Sequence, residues 1–470
     1  MGSQRRLKVR QAEIRERRLS MRLPFRFGAA TVQEASQIFL ALEVADENGQ
    51  VATGYAAELM VPKWFDKNPS LSNADNEAQL RRSLAVAVDL ATAAEPLTAF
   101  GLHAAIEPSQ HGICEKQGLN GLIASFGLAL VDRAVLDALC RINDVPVHHA
   151  IAANLPGMDA STTSDLAGFD IPAFLSGLKP ASFLHLRHTV GYADALTAGE
   201  MKIARLDDGL PECLEEEIRT YGIEYFKIKL SGNPTADLER LRAVAAVLDR
   251  LPHYRATMDG NEQFADGAAV ADLLDRIEAE PALQRLRASL LFIEQPIARA
   301  NALSTSVAGL GSRIALEIDE SDGDPDAFLR ARAQGYKGIS SKSCKGFYRA
   351  LLNAMRVTLW NGQDGSGYFM SAEDLTTQAG IALQQDLALA GLLDLGHIER
   401  NGHHYVDGMS GASSAEVQAW SSSHGDLYHR TDGGRLRLKV ERGRLALGSV
   451  NRAAGLGFSE HAAQATFASL

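Results

Sequence analysis

The chain has 470 residues, 46% hydrophobic and 22% charged, with a formal net charge of −11 and a pI near 5.7. That is enough apolar material for one large domain plus a smaller one, and the acidic balance offers no global field for nucleic acid or anionic lipid, so neither partner is expected. Cys114, Cys140, Cys213 and Cys344 lack the paired spacing of a zinc site or disulfide framework; with no membrane-length apolar run, and no apolar core after the basic start Met1–Arg10, a soluble cytoplasmic protein is expected.

From Leu7 to Glu58 apolar and polar residues alternate, and Asn48-Gly49 supplies the positive φ of a hairpin turn, so a small antiparallel meander is predicted. Two helices follow, near Glu77–Ala94 (Leu80, Leu84 and Val88 on one stripe) and near Ala124–Ile142 (Leu128, Val131, Val135 and Leu139). Sheet then helices make an α+β unit over residues 1–150. Gly28-Ala29-Ala30 and Val61–Asn73 read as mobile surface loops. No chemical reading attaches to Glu95–Asn120 or Tyr192–Glu212.

After about residue 155 strand and helix alternate in units of roughly 25–35 residues, the size of βα repeats. Strands are expected at Phe183–His188, around Lys227 and Lys229, and at Ala256–Asp259, Leu290–Glu294, Ile314–Asp319, Gly338–Lys342, Tyr368–Ala372 and His397–Ile398. The fold class is therefore α/β, a (β/α)8-type barrel over residues 155–400 that follows the N-terminal α+β unit. A doubly wound sheet is disfavoured because no G-x-G-x-x-G turn follows a strand. The stretch 401–470 is expected to fold back on the N-terminal sheet, with a hairpin in Leu436–Leu447 across Arg442-Gly443.

The stretch Tyr225-Phe226-Lys227-Ile228-Lys229-Leu230 places two lysines on one face of a strand. Alone, that pattern is a solvated edge strand. The strand ends that follow carry carboxylates, in Met258-Asp259-Gly260-Asn261, Ile293-Glu294-Gln295-Pro296 and Ile318-Asp319-Glu320-Ser321. One such residue is usually a helix N-cap. Three at βα spacing converge at the mouth of a barrel, where hard oxygen ligands suit Mg²⁺, with Mn²⁺ also fitting. Lys342 follows on the next strand, within Ser340-Ser341-Lys342-Ser343-Cys344-Lys345-Gly346.

This order resembles the enolase superfamily, specifically the muconate-lactonizing-enzyme-like subgroup of the mandelate racemase and muconate lactonizing enzyme family. Arg22-Leu23-Pro24-Phe25-Arg26-Phe27-Gly28 is similar to that family's capping domain, and Phe292-Ile293-Glu294-Gln295-Pro296 to one of its barrel strands. The resemblance implies a modified TIM barrel and Mg²⁺-dependent abstraction of the proton α to a carboxylate, through an enediolate. By position, Lys229 is the acid/base on one face and Lys342 on the other. Lys227 either lowers the pKa of Lys229 or binds the substrate carboxylate, and Asp259, Glu294 and Asp319 hold the metal. Racemisation or epimerisation leads, with β-elimination (a dehydratase) or cycloisomerisation as alternatives. The implied partner is a small-molecule carboxylate, specificity is implied for Phe27–Thr31 and Val61–Asn68, which carry Lys63, Trp64 and Phe65, and relatives are commonly symmetric homo-oligomers.

The chain departs from the pattern in three places. Lys345-Gly346 stands where relatives often carry Gly-Gly, which leaves Lys342 and Lys345 as alternatives on the sixth strand. Glu373, ending the seventh, either assists the site or caps a helix. Gly396-His397-Ile398-Glu399-Arg400 lacks the Asp-x-Asp of relatives that epimerise dipeptides. Asn261, Glu262 and Glu320 are candidate supporting residues, whereas His148-His149 and His403-His404 read as surface pairs. Two other classes stay open: a barrel lyase with a Schiff base on Lys229 or Lys342, and a non-catalytic scaffold.

Overall fold

Three long antiparallel strands, β1 (Leu7–Phe27), β2 (Ala30–Asp46) and β3 (Val51–Leu59), pair in chain order, and Asn48-Gly49 turns β2 into β3 with Gly49 at φ 82°. The computed structural model describes residues 4–27, 30–201, 205–365, 367–373, 379–400 and 405–470, and the side chains of all these except 26, 27 and 30. Gly28 and Ala29 of the expected specificity loop Phe27–Thr31, and His403-His404, lie outside the described residues.

Helices α1 (Asn73–Ala93), α2 (Ala99–Lys116) and α3 (Gly121–Ile142) cover this sheet. A capping box between Ser72 and Asp75 starts α1 a turn before the expected Glu77. The sequence reading missed α2 because its buried face includes His103, Glu107 and Gln110, which erases the apolar stripe. Helix α3 is buried along nearly its whole length. A Cβ on Gly54 would lie 1.9 Å from the Ala134 carbonyl oxygen, and one on Gly127 would lie 2.3 Å from that of Ser83, so only glycine allows α3 this approach to β3 and α1.

Short helices α4 (Val147–Ala152), which carries His148 and His149 at the surface, and α5 (Ile171–Gly177) lead into the barrel. Its strands are β4 (Phe183–Val190), β5 (Tyr225–Lys229), β6 (Arg255–Asp259), β7 (Leu290–Glu294), β8 (Ala315–Ile318), β9 (Gly338–Ser341), β10 (Phe369–Glu373) and β11 (His397–Glu399). The intervening helices are α6 (Leu214–Tyr221), α7 (Pro234–Leu248), α8 (Gly267–Ala279), α9 (Gln284–Ser289), α10 (Arg299–Ala302), α11 (Ala327–Gln334), α12 (Phe347–Asp364) and α13 (Ile381–Leu392). All eight strands are parallel neighbours in chain order, and β11 closes the barrel onto β4. Strands β5 and β9 are four positions apart and so face each other across it. Period-2 alternation sends Phe226, Ile228, Met258, Ile293 and Ile318 outward into one core with Leu241, Val244, Leu273 and Leu274 of the helices.

The C-terminal return corrects one expectation. Leu436–Leu447 pairs with itself only at the Glu441–Arg444 bridge, where each backbone N–H donates to the other's carbonyl at 3.1 Å; β13 (Leu436–Leu438) pairs with β12 (Tyr428–Arg430), and β14 (Arg444–Ala446) runs antiparallel to the start of β4. The turn at Arg442-Gly443 forms, with φ 52° and 67°, but Gly443 N–H donates to the Tyr221 carbonyl at 2.6 Å, and that contact carries the chain onto the barrel. Helices α14 (Ser414–Ser423), α15 (Gly448–Arg452) and α16 (Glu460–Ala468) follow the expected route back. Phe467 packs against Tyr55 with ring centroids 5.2 Å apart, and Arg17 on β1 reaches Glu416 at 2.7 Å. Among the described residues no helix is long and apolar enough to cross a membrane.

This return carries a pH dependence. His424, 1% exposed, accepts a hydrogen bond at Nε2 from Ser459 N–H (3.0 Å), and burial pushes its pKa down to about 4. The unfolded chain therefore takes up this proton first on acidification, so stability is lost as pH falls from the ordinary histidine value through about 4. The contribution is about 3 kcal/mol. Urea midpoints for wild type and His424→Phe should diverge at neutral pH and converge toward pH 4; parallel curves would contradict this reading.

Candidate active site

Barrel interiors are ordinarily filled by layers of branched apolar side chains. This one holds ions. Lys227 and Lys229 both point inward from β5 and are only 1% and 7% exposed, so the pair does not form a solvated edge. Lys227 Nζ lies 2.6 Å from Glu294, 2.7 Å from Glu373, 2.8 Å from Glu399 and 3.0 Å from Asp259. Burial works against its charge, but those four carboxylates prevail and hold its pKa well above the ordinary lysine value.

The functional groups sit on successive strand ends. Lys229, Asp259, Glu294, Glu373 and Glu399 are the last residues of β5, β6, β7, β10 and β11, while Asp319 and Lys342 come one residue after β8 and β9. Among the described residues Lys229 Nζ has a single carboxylate contact, to Asp259 Oδ2 at 2.5 Å. Lys342 Nζ meets Asp319 Oδ1 at 2.6 Å and Glu373 Oε2. Despite burial, these carboxylates raise the Lys342 pKa well above the ordinary value. Lys345 is brought to the same place but is spent on the backbone, donating to the Ser340 and Asp319 carbonyls at 2.6 and 3.0 Å, with Asp319 Oδ1 also at 3.0 Å. The geometry favours Lys342 as the mobile amine of the sixth barrel strand.

An all-carboxylate donor set is in place. Glu294, Asp319 and Glu373 each offer an oxygen, and these lie within 4.8 Å of one another. Both oxygens of Glu294 are buried and, among the described residues, accept no aligned hydrogen bond, although Oε2 lies 2.6 Å from Lys227 Nζ. Burial, with Asp259 and Glu373 nearby, pushes the Glu294 pKa well above the ordinary carboxyl value. Such a group fits a hard divalent cation. The trio holds Glu294 and Asp319 of the expected set together with Glu373, while Asp259 contacts Lys227 and Lys229, whose ammonium groups hold its pKa down against the effect of burial. Glu373 takes the remaining place, so its role as a mere helix cap is not what the contacts describe.

Several members of the site were invisible in the sequence. Arg187 on β4, fully buried, pairs with Glu373 at 2.9 Å and donates to His397 Nδ1 at 2.8 Å. Thr189 donates to Glu399, and Ser371 donates to Glu317 at 2.9 Å, whose pKa burial pushes up to about 8. Gln295, following Glu294, accepts from the N–H groups of Asp319 (2.8 Å) and Ser321 (3.2 Å) and so fixes the neighbouring strand end. Asn261 N–H donates to Asp259 Oδ1 at 2.7 Å, and Asn261 Nδ2 is 3.5 Å from Glu320. Asn261, Glu262 and Gln295 all have positive φ, at 42°, 69° and 33°, a concentration of backbone strain around the carboxylates.

The start of Val61–Asn73 is not a surface loop. Val61, Trp64 and Phe65 are buried, and Lys342 Nζ lies 5.1 Å from the centroid of the Trp64 ring.

No sequence-family profile and no curated protein sequence matches the chain. Solved structures do. A dipeptide epimerase from Enterococcus faecalis V583, complexed with Mg and L-Leu-L-Tyr, superposes at a TM-score of 0.60 with 15% identity, covering 96% of this chain and 100% of its own. An enolase from Bradyrhizobium complexed with magnesium and mandelic acid gives 0.59 at 16% identity over 98% of both chains. A 2-chloromuconate cycloisomerase from Rhodococcus opacus 1CP gives 0.56 at 16% identity, covering 98% of this chain and 99% of its own. This chain therefore shares their fold, a capped (β/α)8 barrel, from end to end.

Proposed function

We propose that this protein is an enolase-superfamily enzyme of the mandelate racemase and muconate lactonizing type. It removes the α-proton of a small carboxylate and returns a proton to the opposite face, giving racemisation or epimerisation. The observation that carries the reading is the placement of Lys229 and Lys342 on facing strands, with carboxylates between them. Glu294 and Asp319 would hold a Mg²⁺ or Mn²⁺ ion, with Asp259 and Glu373 as the flanking oxygen donors. When bound, the ion supplies positive charge that stabilises the developing enediolate and competes with the lysines for the carboxylates.

Lys229, with one carboxylate contact, is the base that takes the α-proton. Lys342 is kept as an ammonium by Asp319 and Glu373 and delivers a proton from the other side. In the reverse direction the roles exchange. Lys227, ringed by four carboxylates, is a fixed counter-ion and not a substrate ligand. The buried ion layer beneath excludes water from the amines and holds their geometry. A Schiff base on Lys342 would need an uncharged amine, which Asp319 and Glu373 oppose; on Lys229 borohydride trapping with substrate decides between the two readings.

The test is a panel of racemisable amino-acid derivatives and sugar acids in ²H₂O with Mg²⁺. Deuterium at Cα with inversion and no loss of a β-substituent is the expected result. Net loss of a β-group would move the reading to dehydration, and no incorporation into any member would overturn it.

A further inference from the structure

Between the cap and the barrel mouth lies an ion network that binds no reacting group. Glu262 follows Asp259 by three residues, in the left-handed region at φ 69°, with its carboxylate only 6% exposed. Arg299, at the start of α10, meets Glu262 Oε1 through Nε (2.9 Å) and Oε2 through Nη2 (2.8 Å). The backbone N–H of Arg299 donates to Glu262 Oε1 at 2.6 Å. Lys67, from the cap, reaches Glu262 Oε2 at 2.5 Å, the Asn261 carbonyl at 3.1 Å and Glu320 Oε1 at 3.3 Å. The same guanidinium then crosses to the cap backbone, donating to the carbonyls of Trp64 (2.9 Å) and Phe65 (3.0 Å). Asn120, the N-cap of α3, donates to the Phe65 carbonyl at 2.9 Å from the other side.

We infer that Glu262 is a positioning residue: with Arg299 and Lys67 it clasps the segment Trp64–Lys67 to the barrel mouth and thereby seats the Trp64 indole against Lys342. Three features support this. The strained backbone at Glu262 costs free energy, and it lets the backbone N–H donate to the Gln295 carbonyl at 2.9 Å while delivering the carboxylate to Arg299 and Lys67. A bidentate guanidinium–carboxylate pair is geometrically specific in a way that scattered surface charges are not. The clasped carbonyls belong to Trp64 itself and its neighbour, so release of Arg299 frees the backbone that carries the indole. The clasp touches neither Lys229 nor any group on β5, so its consequence is one-sided.

The experiment uses the full chain with Glu262→Gln, which keeps shape and removes charge, and Arg299→Lys, which keeps charge and removes the fork. Backbone amide hydrogen exchange is read over residues 61–67, with β1–β3 as the folding control. Exchange in 61–67 should rise at least about tenfold in both variants while the sheet stays protected. Acrylamide quenching of the emission component that is lost in Trp64→Phe should rise in parallel. Unchanged exchange in 61–67 in either variant overturns the clasp. Its positioning role, which rests on the proposed reaction, is read with (R)- and (S)-mandelate in ²H₂O. Both variants should slow α-proton exchange from the Lys342 side at least about tenfold more than from the Lys229 side. Equal loss on both sides would overturn positioning and leave a structural tie. If wild type exchanges neither enantiomer, the reaction fails for this probe, while amide exchange and Trp64 quenching still decide the clasp.

Discussion

Lys229→Met should abolish α-proton exchange for one configuration of substrate and leave the other exchanging, and Lys342→Met should do the converse. The strand order dictates this. β5 and β9 face each other across the closed barrel, so the two amines approach a bound Cα from opposite sides and neither reaches the other's proton. Loss of a positioned general base typically costs 10²–10⁴-fold, so the affected enantiomer should slow by roughly that factor. Methionine preserves the length and the apolar stem of lysine, and the lysine strands are buried, so folding is better retained than with a short replacement. Chiral ¹H NMR of each enantiomer in ²H₂O separates the two faces. Parallel loss at both faces in each variant would mean that the lysines act as one unit, as Lys227 does through its shared carboxylates, and would contradict the opposed-base geometry.

Glu294→Gln should cost at least about a hundredfold in divalent-cation affinity. Groups that merely orient metal ligands are worth about 10–100-fold, and a direct ligand is worth no less. Glu294 is chosen because neither of its buried oxygens accepts an aligned hydrogen bond among the described residues and its close cation is Lys227 alone, whereas Asp259 and Glu373 each pair with two or more cations. Lys227 keeps Asp259, Glu373 and Glu399 after the change, so the substitution does not strand a buried ammonium. Mn²⁺ binding followed by electron paramagnetic resonance reads this without turnover. Unchanged Mn²⁺ affinity in Glu294→Gln would remove the carboxylate cluster as the metal site.

How far the sequence carries can be judged residue by residue. The strand ends Asp259, Glu294 and Asp319, and both lysines of β5, were legible because a period-2 strand followed by a helix leaves few places for a charge except the barrel mouth. Leu290–Glu294 was placed to the residue. Arg187, Glu317 and Glu399 were not found, since a charge within a short strand reads equally as solvated or inward until the barrel closes. The division between Lys342 and Lys345, three residues apart, depended on a short helical turn after β9 that sends Lys345 to backbone carbonyls. Lys67, Glu262 and Arg299 meet from segments far apart in the chain, and local pattern carries no sign of that meeting. The hairpin expected in Leu436–Leu447 is cut down to the single Glu441–Arg444 bridge for the same reason: alternation marks a strand but not its partner, and β14 found β4.

The central claim is metal-dependent proton abstraction at a carboxylate's α-carbon, and one divided sample tests it most directly. Deuterium incorporation at Cα is followed in ²H₂O with Mg²⁺ and with EDTA, and borohydride is added to a portion of each. The expected result is incorporation with Mg²⁺, its loss in EDTA and its return on adding Mg²⁺, with no lysine carrying a reduced adduct. Full incorporation in EDTA, or a substrate mass trapped on Lys229 or Lys342, would contradict it.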